Sequence, residues 1–189
     1  MALGWEKGQG ILPVPPERRV RERLHAARAV AARTINMLSQ NVTLLEDALA
    51  RKMLPGIETF PCTSPESCKG TGVIRIIFPE FTCVCPKTGY PDFASIDLYY
   101  LPDHLCLELK SWKLYLNSFR MIGTFHETIT SFLFSTIKSV LAPQWALLAG
   151  DFFPRGNVNT TIIFETEGKR PGGADVLLKD YSPRCRTFS

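Results

Sequence analysis

The sequence has no apolar run near the roughly 20 residues that a membrane-spanning helix requires, so no helical membrane anchor is expected. It has no paired C-x-x-C spacing, although there are six cysteines. Cys83 and Cys85 stand as C-x-C, and the spacing of Cys62 and Cys68 is wide, so a structural zinc site is not expected. Neither G-x-G-x-x-G nor G-x-x-x-x-G-K-[ST] occurs, which argues against a Rossmann or P-loop nucleotide site. Nor is there an internal repeat, a low-complexity tract or a recognisable secretory leader, and the expectation is a cytoplasmic protein with reduced thiols. The net charge of +4 suits an anionic ligand but lacks the dense basic surface of a dedicated nucleic-acid binder, so no direct nucleic-acid contact is expected.

The chain of 189 residues has room for one core and an appended arm. Residues 1–17 are rich in Gly and Pro and read as a mobile arm; from Arg18 to about Met53, Val20, Leu24, Ala27, Val30 and Ala31 recur at helical spacing on a basic segment. Residues 1–33 share Arg and Ala content with transit peptides, but their acidic residues favour a solvated or packed helix. A division into an arm and basic helix at 1–55 and a main domain at 56–189 follows, with Pro55-Gly56 as the break. Residues 61–72 read as a loop. Val73–Phe78 and Phe93–Leu101 read as strands, the second with Ile96, Leu98 and Tyr100 on a buried face and Ser95, Asp97 and Tyr99 on a less buried one. Lys110–Ile122 and His126–Leu141 can be helical. Trp145–Phe153 and Val158–Glu165 read as a strand pair, and the tail after Gly168 as mostly irregular. Strands, then helices, then strands make an α+β layout: a mostly antiparallel sheet with two helices on one face and an N-terminal helical extension.

Chemistry concentrates in three places. The Pro/Gly-rich loop Cys85-Pro-Lys-Thr-Gly-Tyr-Pro-Asp92 sets a thiol and a carboxyl close together, the pairing a covalent nucleophile and a proton donor would need. By spacing alone, Cys85 is equally readable as a packed thiol, and Asp92 as a turn residue. In Glu108-Leu-Lys110-Ser111-Trp-Lys113, helical spacing brings the two lysines to one side, where they can hold phosphate or form a solvated face. His126-Glu127 pairs an imidazole suited to proton transfer with a carboxylate that can accept paired N–H donors, or serve the following helix.

Taken in order, the stretch from Pro79 through Cys85 and Asp92 to Ala94, then Glu108 to Leu116, Ser118-Phe-Arg120, Gly123-Thr-Phe-His126-Glu127 and Pro154-Arg155-Gly156 resemble the NADPH-dependent 7-cyano-7-deazaguanine reductases, nitrile reductases of queuosine biosynthesis with a tunnelling fold. The resemblance implies four-electron reduction of the nitrile to an aminomethyl group by NADPH, through a thioimide on Cys85. Asp92 would be the general acid and His126 a helper of proton movement. It assigns Glu127 and Glu108 to the substrate and Lys110, Ser111, Lys113 and Arg155 to NADPH, with no metal. It further implies a homo-oligomer of two facing pentamers with sites between subunits. Departures from the family pattern fall at Tyr90, Met121-Ile122 and Asn157. Two alternatives stand beside it. Amidinotransferases of archaeosine formation share the fold and the nucleophilic Cys but lack the Glu108–Leu116 motif, and a non-catalytic purine-binding module would make the Cys85–Asp92 pairing coincidental.

Overall fold

The computed structural model describes residues 21, 23–32, 42–62, 72–168 and 170–179. The arm at 1–17, most of the expected 61–72 loop, Cys68 and Cys185 lie outside them. Six strands form one sheet in the order β1-β6-β3-β4-β7-β8, and two short strands, β2 (Thr59–Pro61) and β5 (Leu105–Leu107), pair separately. The middle of the large sheet is antiparallel: β3 (Ile74–Val84), β4 (Pro91–Leu101), β7 (Trp145–Arg155) and β8 (Val158–Glu165). At one edge β6 (Ile122–Gly123) runs parallel to β3, and β1 (Thr43–Leu44) parallel to β6.

Strand β3 is longer than expected. Pro79 has no N–H to give to a ladder, which made Phe78 look like the end of the strand; the structure absorbs Pro79 and Glu80 in a bulge and resumes pairing at Phe81 opposite Ala94. Beyond the bulge, Cys83 faces Asp92 and Val84 faces Pro91, so the Cys85 loop closes a hairpin at the end of the two central strands.

The segment expected as one helix from Arg18 to Met53 is divided. Residues 23–32 are helical and exposed, α1 is only Leu45–Ala50, and β1 stands just before it. Apolar residues in that stretch serve two structures, and Leu45 and Ala48 are buried in the main core, which therefore reaches back before residue 55. Gly123 explains how β1 comes so near: a Cβ there would sit 2.4 Å from Val42 Cγ1 and 3.2 Å from Leu44 Cδ2.

The helical reading of 110–122 shortens to α2 (Leu109–Asn117), which tightens into a 3₁₀ turn at Ser118–Met121 before β6. The helix α3 (His126–Leu141) has the expected bounds and buries Ile129, Leu133 and Ile137 completely. It ends at Ala142, whose φ of 42° leaves the right-handed helix just before Pro143. Together α2 and α3 cover the face carrying Ala94, Ile96, Leu98 and Tyr100.

The opposite face is not left open. The tail read as irregular contains α4 (Gly172–Lys179), whose Ala174 is fully buried against Tyr99, Leu101, Trp145, Leu147 and Ala149. Its approach is fixed by Glu165, which accepts hydrogen bonds from Trp145 Nε1 at 2.8 Å and Arg170 Nε at 2.8 Å. The polar residues of this face are buried too. Ser95 donates to Asp97 at 2.7 Å, and Arg75 pairs with the other Asp97 oxygen at 3.2 Å. Thus β4 is buried on both sides from Ala94 to Leu101. These elements form the α+β architecture expected, with α4 added on the face opposite the two long helices.

The cysteines differ from expectation at one position: Cys62 is disulfide-bonded, with its partner outside the described residues, while Cys83, Cys85 and Cys106 are free thiols.

Candidate active site

The loop after β3 is one tight turn. Gly89 N–H donates to Cys85 C=O at 2.8 Å, and Cys85 N–H donates to Tyr90 C=O at 2.8 Å. Gly89 takes a φ of 70°, which a side chain would resist. The turn sets the Thr88 hydroxyl, the Thr88 and Lys87 amides and the Arg155 guanidinium about the Cys85 sulfur, where each favours the thiolate. Partial burial opposes ionisation, yet these donors outweigh it and hold the thiol below its ordinary value. Cys83, two residues earlier, has the reverse setting. It is fully buried, and burial, with the negative charges of Asp92 and Cys85 adding to it, pushes its pKa up to about 12. The two cysteines that the sequence offers as near equals are thus separated by their surroundings.

Asp92 is only 3% exposed, and its two oxygens have different partners. Oδ1 accepts from Arg155 Nη1, and Oδ2 lies 3.2 Å from His126 Nε2. Arg155 closes β7 and opens the turn to β8, where Gly156 and Asn157 have φ of 58° and 65°. Two successive residues at positive φ make the tight hairpin that aims the preceding Arg inward, and Asn tolerates that backbone nearly as Gly does. The departure at Asn157 therefore preserves the turn. Arg155, expected with the lysines, is placed with Cys85 and Asp92, and its Nη2 also reaches Thr88 Oγ1 at 3.4 Å.

His126 opens α3 and lies flat on Phe152, with centroids 3.8 Å apart and planes 10° from parallel. Thr130 Oγ1, one turn on, donates to the His126 carbonyl at 2.7 Å. Gly150 gives this turn of helix its seat on β7, because a Cβ there would meet Thr130 Oγ1 at 2.7 Å and Phe152 Cε2 at 3.1 Å. Glu127, the next residue, is exposed in the first turn of α3, and its carboxylate has no hydrogen-bond or ion-pair partner among the described residues.

The Glu108 cluster has a structural occupation. Glu108 is the N-cap of α2, accepting from Lys110 N–H at 2.9 Å and Ser111 N–H at 2.6 Å, and these bonds hold its carboxyl below the usual range. Ser111 is buried; its hydroxyl accepts from Glu58 N–H at 2.9 Å and donates to Glu108 C=O at 2.9 Å. Lys110 and Lys113 are exposed, and neither ammonium group is in an ion pair among the described residues. No group of three or more His, Cys, Asp or Glu side chains suited to a metal occurs among the described residues.

Sequence reasoning missed Thr88 and Phe152. Thr88 lies inside the loop quoted for its cysteine and carries no pattern of its own; Phe152 is one apolar residue in an apolar strand.

A family model described as QueF-like protein matches residues 91–171. The NADPH-dependent 7-cyano-7-deazaguanine reductase of Anaeromyxobacter sp. (strain Fw109-5) is 47% identical over 117 residues, covering 62% of this chain and 93% of that protein. The reductase of the same name from Alkalilimnicola ehrlichii is 45% identical over 118 residues, covering 62% and 88%. Among solved structures, an archaeosine synthase QueF-Like in the apo form aligns with a TM-score of 0.49 and 20% identity, over 54% of this chain and 100% of that one. With relatives this similar and covered almost from end to end, this chain belongs to the NADPH-dependent 7-cyano-7-deazaguanine reductase family.

Proposed function

We propose that this protein uses NADPH to reduce the nitrile of 7-cyano-7-deazaguanine to the aminomethyl group, in the cytoplasmic formation of the queuosine tRNA modification. The observation that carries the reading is the Cys85 sulfur, held toward thiolate by Thr88 and Arg155 beside a buried Asp92, in a chain so similar to named nitrile reductases.

Cys85 sulfur adds to the nitrile carbon while Asp92 gives a proton to the nitrogen, so the thiol's hydrogen is replaced by a C–S bond and a thioimide results. His126 Nε2, 3.2 Å from Asp92 Oδ2, stands where it can return a proton to that carboxylate. Two NADPH, bound in turn, would each supply one hydride, the first to the thioimide carbon and the second to the imine left when the sulfur departs. The exposed Lys110 and Lys113 fit a ligand bearing phosphates, since their ammonium groups are uncommitted and Arg-independent point charges suit phosphate. Glu127, also uncommitted, serves the guanine-like N–H edge of the substrate. Glu108 and Ser111 support the lysine-bearing turn from beneath. Exposed Phe93, Phe125 and Phe153 near these residues favour sites completed by neighbouring subunits, in a homo-oligomer of two facing pentamers.

Mixing the protein with 7-cyano-7-deazaguanine tests the reading. A new long-wavelength absorbance, lost in Cys85→Ala, followed by consumption of two NADPH per substrate, is expected. Absence of both the band and NADPH consumption overturns it. Light scattering that finds an active monomer would overturn the subunit arrangement.

A further inference from the structure

Near its end, strand β7 carries one residue more than its partner. It advances three positions from Phe152 to Arg155 while β8 advances two, from Thr160 to Val158, which is a bulge. Side chains alternate along a regular strand, so Arg155, three residues on, would fall on the face away from Phe152. Asp92 stands two residues before Ala94 in β4, on the face where Ala94 packs in one core with Phe152. The extra residue returns Arg155 to that face. There Nη1 donates to Asp92 Oδ1, and Nη2 donates to Thr88 Oγ1 at 3.4 Å. A guanidinium has only hydrogens to give, so Oδ1 accepts and bears no proton of its own. The other oxygen, Oδ2, is 3.2 Å from His126 Nε2, a distance across which a proton can pass.

We propose that Arg155 is the positioning residue of the acid: it clamps Asp92 Oδ1, so that Oδ2 is the oxygen that bears and gives the proton, and it fixes this carboxyl against the turn of Cys85. The inference rests on Cys85 being the nucleophile toward a nitrile. As the sulfur electron pair forms the C–S bond, one π pair of the nitrile shifts to nitrogen and the Oδ2 proton follows it there. A thioimide and a carboxylate remain, and His126 returns the proton to Oδ2. Arg155 exchanges no proton; its charge balances the carboxylate left behind. The planar fork suits the task. Asp92 comes from β4 and Thr88 from the turn after β3, and two arms of one rigid group hold them at a set spacing, which a single ammonium could not do. Asp92 is almost wholly buried, so removing Arg155 leaves a buried carboxyl without its main partner. Arg155 is thereby committed to Asp92 and Thr88, and the phosphates of NADPH are left to the lysines of α2.

The test follows the nitrile adduct band by stopped flow with NADPH left out, at saturating 7-cyano-7-deazaguanine, in the wild type and Arg155→Ala. The limiting rate should fall by about tenfold or more, the scale of one hydrogen bond between charged groups, and free guanidinium added well below denaturing concentrations should restore part of it. An undiminished rate overturns the proposal, and a raised KM for NADPH beside it would move Arg155 to the cofactor. A fall that guanidinium does not restore overturns it as well. Circular dichroism checks folding. Should Arg155→Ala fold poorly, Arg155→Lys, which keeps the charge without the fork, is expected to slow adduct formation too, and an undiminished rate there overturns the proposal. Failure of the reductase reading is a different result: a wild type that forms no band with the nitrile, which removes this proposal along with that reading.

Discussion

His126 rests face to face on Phe152, and this contact decides where its Nε2 points. Phe152 is fully buried, so the imidazole is stacked on a ring that cannot move aside, with Asp92 at its edge. Replacing Phe152 by Ala should cost about 3–5 kcal/mol of stability, in line with removal of a buried aromatic ring. The variant should also lower turnover beyond any loss of folded protein. Denaturant unfolding alongside activity per folded molecule measures both, and unchanged turnover would mean that the stack does not position His126.

Asp92→Asn keeps the shape of the side chain but leaves Arg155 without its carboxylate. Formation of the nitrile adduct should fall by about a hundredfold or more, as for loss of a general acid. Stopped-flow absorbance would read this, and an undiminished rate would remove Asp92 from the reaction.

The two neighbouring thiols should separate with pH. Cys85, lowered by its donors, should be alkylated at pH values below its ordinary range, while Cys83 should stay unmodified in the folded protein. Their linkages to stability have opposite signs. The Cys85 contribution is present above the unfolded thiol value and is lost as pH falls through the lowered folded value. Keeping Cys83 neutral costs stability progressively as pH rises from 9.0 to about 12, because the unfolded chain releases that proton first. Peptide-resolved alkylation and pH-dependent melting test the pair of signs.

Removing both Lys110 and Lys113 by Ala should raise the KM for NADPH by about tenfold or more while leaving adduct formation nearly unchanged. A loss confined to adduct formation would place the lysines with the nitrile substrate instead.

Glu108 can be divided between cap and ligand. Glu108→Ser supplies another good N-cap, so melting should stay near the wild type, whereas Glu108→Ala should melt lower. If the carboxylate also meets substrate, Glu108→Ser will still raise the substrate KM; equal KM values would confine Glu108 to capping.

Much of this was legible where local pattern and local structure agree. His126–Leu141 has helical periodicity and a Pro beyond its end, and the Gly156-Asn157 turn lies between two apolar runs. The Cys85 and Asp92 motif was visible because its residues are near in sequence. The contact of Arg155 with Asp92 was not, since it spans 63 residues and depends on the register of β4 against β7. Phe152 was hidden for the same reason. β1 is only two residues long, and within an Ala- and Leu-rich segment no periodicity can reveal so short a strand. The polar residues of β4 suggested a wetter face because their hydrogen-bond partners, Arg75 among them, come from elsewhere in the chain.

Gly123 is opposite Leu44 on one side and Val84 on the other, and the next residue, Thr124, donates to Val84 C=O at 3.0 Å. Val84 immediately precedes Cys85, and Thr124 is two residues before His126. One rung of sheet thus spans the gap between the strand that delivers the sulfur and the segment that delivers the imidazole, with residues 42–44 strapped across its outer side. The missing side chain at Gly123 is a spacing tolerance: a single added methyl group would push the strap outward and could be read, far from the chemistry, as a change in the distance between nucleophile and proton relay.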